Sequence, residues 1–178
     1  MLTASFINKD GEQQFFHIYS RDLIILKPLH RFQVWPNMSH IALEFFPGWA
    51  HDSYHRYLRN LAGFAANLDF LWFIDHTLTR APGFEGALPN HTYVFYGKGF
   101  RMVEVRRGDD GWVHSDMSPP GSNGPGCFSA IDIMRQEQDR MNAETFEQYS
   151  EDPEDVSPYV GARLGVLAFE IVSRDFYE

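Results

Sequence analysis

The chain has 178 residues, one cysteine and a formal net charge of −9, and 16% of its residues are aromatic. That length suits one domain, residues 1–178, able to bury roughly 70% of its unfolded surface without cross-links. A lone cysteine excludes an internal disulfide framework, and an acidic chain without clustered Lys and Arg excludes nonspecific nucleic-acid binding. The opening "MLTASFINKDG" lacks a basic start followed by an apolar stretch. No apolar run approaches the roughly 20 residues a membrane helix needs. A cytoplasmic chain away from membranes is expected, in which the sequons at Asn37 and Asn90 are chance matches.

The first half reads as strands. "LTASFI" and "EQQFFHIY" flank Asp10-Gly11, a pair suited to a tight hairpin. "LIILK" ends at Pro28 and "RFQVW" at Pro36; proline cannot donate to a ladder, so each marks an end or an edge. "HIALEFF" is a fourth strand, closed by Pro47-Gly48. The period then changes. Tyr54, Tyr57, Leu58, Leu61, Phe64, Ala65 and Leu68 recur three and four apart, which predicts a helix over 53–68 capped by Asp52 or Ser53. "FLWFI" at 70–74 is a short apolar run read as a strand.

"APGFEGALPN" is loop. "TYVFYG", "FRMVEVRR" and "GWVHSD" then form a meander over 92–116. "SPPGSNGPGC" is too rich in Gly and Pro for regular structure. A second helix is predicted from Ser129 to Tyr149, with Asn142 as a break point. "ARLGVLAFEIVSRDF" fits either period, and its Val, Phe and Ile content favours a strand over 160–173. The expected architecture is α+β: an antiparallel sheet, built from the N-terminal strands and the 92–116 meander, packed against two main helices.

Three constellations suggest chemistry. His51 and His55 stand four apart, as metal-binding histidines on a helix can. "HDSYH" lacks the glutamate of the usual motif, and His55 falls about 120° from the apolar stripe, so both read as solvated. Asp75-His76 has the composition of a carboxylate-oriented base, but neighbours on a strand point to opposite faces. His17, His40, Glu44, His91 and His114 are further groups that a fold could bring to Asp75. Cys127 precedes a predicted helix, where a macrodipole can activate a thiol. No phosphate loop, dinucleotide fingerprint, serine elbow or Cys-x-x-Cys pair occurs, and no catalytic residue, metal ligand or cofactor is assigned.

Charge carries a stronger signal. Glu137, Asp139, Glu144, Glu147, Glu151, Asp152, Glu154 and Asp155 face one base, Arg140, so residues 137–155 hold −7 of the −9. Phe146 and Tyr149 add apolar anchors among them. Such a window steers basic partners and fits an interface. The expected function is therefore a non-enzymatic binding protein. Antitoxins and inhibitors of the bacterial immunity type have this general character, being small, acidic and aromatic-rich. The expected partner is a basic protein such as a toxin or a nucleic-acid-processing enzyme, occluded by these acids and rings. The alternative is a small metal-dependent or His/Asp acid-base enzyme.

Overall fold

The structure is a computed structural model that describes residues 2–7, 10–19, 21–26, 39–45, 55–65, 68–84, 92–114, 126–149 and 161–172. In chain order the first elements are β1 (Leu2–Ile7), β2 (Gln13–Ile18), β3 (Leu23–Leu26), β4 (His40–Glu44), α1 (His55–Ala65) and β5 (Phe70–Asp75). There follow β6 (Leu78–Arg80), β7 (Val94–Gly97), β8 (Phe100–Val105), β9 (Trp112–His114), α2 (Cys127–Tyr149) and β10 (Arg163–Ile171).

The apolar spacing of α1 explains the centre of the fold. Leu58, Leu61, Ala62 and Ala65 are buried along one stripe. Each large side chain so placed contributes about 1.5–3 kcal/mol relative to exposure. The stripe is covered where α1 joins α2 in one core against the sheet. β4 and β5, which flank α1, run in the same direction, with His40 opposite Phe70 and Glu44 opposite Ile74. Strands covered on both faces read as unbroken apolar runs. This is why "HIAL" and "LWFI" are buried without alternation.

The six-stranded sheet has the order β3-β4-β5-β10-β8-β7. β3, β4, β5 and β10 run parallel. β8 pairs antiparallel with β10, and β7 with β8, across a turn in which Gly99 has φ 79°. One face, with Ile41, Leu43, Leu71, Phe73, Leu164 and Val166, meets α1 and α2. The other carries Ala42, Trp72, Ile74, Met102 and Leu167 with partly buried aromatics. β1–β2 and β6–β9 are separate two-stranded antiparallel sheets.

The antiparallel sheet expected from the sequence is thus incorrect. The N-terminal hairpin stays outside the main sheet, and β3, β4, β5 and β10 meet by parallel pairing. The 92–116 meander is incorrect in its third strand. β9 leaves β8 and pairs with β6, Thr79 lying opposite Val113. The segment read as a strand over 160–173 is β10, at the centre of the sheet. α2 begins at Cys127 and runs unbroken through Asn142, so that residue neither ends nor recaps it. "RFQVW" lies outside the described residues. Among the described residues no helix is long and apolar enough to cross a membrane.

Candidate functional site

α2 is held to the body by Cys127, Ala130, Ile131 and Met134, all buried against the sheet. Gln138 donates from Nε2 to the Ala162 carbonyl at 3.4 Å, tying the helix to the start of β10. The opposite face is left to solvent and presents Asp139, Arg140 and Glu144.

The acids on that face differ in availability. Arg59 of α1 donates from Nε to Glu137 at 3.1 Å, and Arg140 donates to the same carboxylate at 3.0 Å and to Glu144. Burial would push the Glu137 carboxyl up; the hydrogen bonds and charges of Arg59 and Arg140 outweigh it and hold the group below the usual range. Within residues 137–144 the net formal charge is −2, from Glu137, Asp139 and Glu144 against Arg140. Arg59 offsets part of that from outside the window. Glu147 lies in the last turn of α2, and Phe146 and Tyr149 share that turn; nothing is described of their side chains. Glu151, Asp152, Glu154 and Asp155 lie outside the described residues.

The histidine constellations stay apart. Asp75 closes β5 with 2% exposure on the helix side, where its Oδ1 accepts the Thr77 N–H at 2.9 Å and the Thr77 hydroxyl at 2.7 Å. His76 is exposed, its ring packed on Phe169 at 5.4 Å. Phe169 belongs to the other face of the sheet, so Asp75, at the end of β5, and His76, in the turn that follows, diverge. His40 opens β4 beside Phe70, while Asp75 closes β5, so the two are separated by about 16 Å of strand at about 3.3 Å per residue. Glu44 is exposed at the end of β4. His51 and His91 lie outside the described residues, as do the side chains of His17, His55 and His114. Among the described residues no three His, Cys, Asp or Glu side chains are grouped to hold a metal.

Cys127 is fully buried as the first residue of α2, not in the loop before it. Burial pushes its thiol well up, and the nearby charge of Asp75 adds to the effect. A thiol held protonated at a helix N-terminus is a poor nucleophile, whatever the macrodipole contributes. Native protein should therefore react with an aromatic disulfide reagent at pH 8 only as fast as it unfolds, and promptly in guanidinium. Rapid native labelling, followed by absorbance, would contradict this.

Sequence reasoning overlooked a group of arginines. Arg106 and Arg107 follow β8, at the end of the segment "FRMVEVRR" read as a strand. Arg135 stands on α2 and Arg163 opens β10. Arg106 and Arg135 line two adjoining clefts of about 240 and 390 Å³, which Arg107 and Arg163 enter from either end. The "RR" doublet was the only local signal. No family model, curated protein or solved structure matches the chain.

Proposed function

We propose that this chain is a non-enzymatic binding protein, an immunity- or antitoxin-type inhibitor that occludes a basic protein partner with the acidic end of its C-terminal third. The observation that supports the reading is the platform geometry of α2. One face is locked to the sheet, and the other presents Asp139 and Glu144 to solvent. The chain leaves that helix directly into Glu151, Asp152, Glu154 and Asp155.

The ion pairs of α2 redistribute the charge. Glu137 is engaged by Arg59 and Arg140, so steering falls mainly to Glu147 and the four acids beyond the helix. These would surround the cationic rim of a partner's active site while Phe146 and Tyr149 supply apolar contact.

The test is kinetic. A basic partner is recovered from the source cell with the wild-type chain as bait, identified, purified and followed by stopped-flow association. Replacing Glu147, Glu151 and Asp152 together by Lys should slow association about tenfold or more, and added salt should narrow the difference. The same rate for a folded triple variant and the wild type would reject the proposal.

A further inference from the structure

The arginine clefts arise from a stagger in the sheet. β10 pairs with β5 over Arg163–Ala168 and with β8 over Val166–Ile171. Among the described residues its first three therefore have no strand on the β8 side, because the chain turns away after Val105. The gap is a notch floored by Leu164 and Gly165, and the Leu164 carbonyl accepts from Arg135 Nη2 at 3.4 Å.

Charge in the notch does not cancel. Asp132 pairs with Arg107 and lies 3.7 Å from Arg135. Glu104 lies 3.4 Å from Arg106, and its second oxygen accepts the Tyr93 N–H at 3.0 Å. Among the described residues four guanidinium groups thus share two carboxylates, leaving an excess of two positive charges. Arg106, Arg107 and Arg135 keep about three-fifths of their side-chain surface in water (60%, 61% and 58%), so their donors are open to a ligand. Arg163 is also exposed and lies over the Phe70 ring at 5.7 Å.

The larger cleft adds flat apolar surface. Phe70 and Tyr93 sit edge to face at 5.1 Å, Tyr93 is 38% exposed, and Trp72 lies beneath. Guanidinium forks recognise phosphate oxygens in pairs, and exposed rings accept planar groups by stacking. We propose that this notch binds a small phosphate-bearing ligand with a planar base, of the nucleotide class, with the phosphate on Arg106 and Arg135 and the base against Tyr93 and Phe70. The chain's overall negative charge opposes this only weakly. At physiological salt, charges beyond about 8 Å are largely screened, and a bound phosphate lies among the arginines. The site is independent of the acidic surface proposed above.

Calorimetric titration with AMP, inorganic phosphate, adenosine and phenyl phosphate tests the assignment. AMP should bind at least tenfold more tightly than each of the others. Arg106→Gln and Arg135→Gln should each weaken AMP about tenfold, as expected for loss of a charge-assisted contact. Tyr93→Ala should weaken AMP and leave phosphate unchanged. Circular dichroism and thermal midpoints establish that the variants remain folded; the three positions are exposed. Absence of AMP binding at roughly millimolar concentration, insensitivity to both arginine substitutions, or phosphate or phenyl phosphate binding as tightly as AMP would overturn the proposal.

Discussion

Gly165→Ala should destabilise the protein by about 2 kcal/mol, the usual scale for forcing a methyl into a packed interior. On general grounds alanine should help here. Gly165 lies inside a strand, and its replacement reduces the freedom of the unfolded chain, commonly worth about 0.4–1 kcal/mol. Contact decides the sign. Gly165 stands directly opposite Trp72 across the parallel β10–β5 pair. An added Cβ would come within 2.5 Å of Trp72 Cε3. The indole cannot retreat easily. It is 2% exposed, parallel to Phe70 at 5.4 Å and edge-on to Tyr93 at 5.3 Å. A loss of that size lowers the thermal midpoint of a chain of this length by roughly 4–8 °C. Trp72→Leu removes the obstructing ring, so the double variant should lose less than the two single losses added together. A midpoint for Gly165→Ala equal to or above wild type would show that the ring yields.

Local pattern reached part of this architecture. The spacing from Leu58 to Ala65 is helical because one stripe of α1 must be covered, and "FLWFI" is unbroken because β5 is covered on both faces. Strand partners were beyond reach. β10 sits between β5 and β8, far from both in sequence, and that pairing turned an expected antiparallel sheet into a mixed one. The Asp-Gly hairpin was visible, but a hairpin says nothing about which sheet it joins. β9 has the composition of a meander strand, yet its pairing is decided by β6, more than thirty residues earlier.

The candidate sites divide in the same way. That Asp75 and His76 diverge was expected from strand alternation; they do so although β5 ends at Asp75 and His76 stands in the turn beyond it. That Arg59 engages Glu137 was not legible, since the partners are separated by 78 positions. A count of acids therefore overstated the free charge on α2. The arginine notch has four members, on α2, on β10 and in the turn after β8, and what gathers them is a stretch of β10 with no strand beside it among the described residues. Absence of a neighbour leaves no mark on local periodicity. Spacing reports which face a side chain occupies; it does not report what stands across from that face.

Trp72→Ala should cost about 3–5 kcal/mol, the range for emptying a core aromatic. Against a total stability of roughly 5–15 kcal/mol, this is the most damaging single change expected in the chain. The indole has a second role that Trp72→Phe isolates. Its Nε1 donates to His40 Nδ1 at 3.1 Å, so His40 is the neutral tautomer with its proton on Nε2. His40 is 8% exposed and stacks on Phe70 at 4.6 Å. Burial lowers its pKa, and the charge of Asp69 offsets only part of that. The unfolded chain takes up this proton near pH 6.5, whereas the folded protein takes it up at lower pH. Between those values the unfolded state binds more protons, so stability rises with pH through the window and is lost as pH falls below about 6.5. His40→Gln, which can still accept from Trp72, should flatten the midpoint-versus-pH curve there. Trp72→Phe frees Nδ1 and should flatten it partly. Thermal melts from neutral to mildly acidic pH measure all three proteins. If His40→Gln keeps the full wild-type slope, His40 does not govern acid sensitivity, and the histidine–tryptophan contact is only packing.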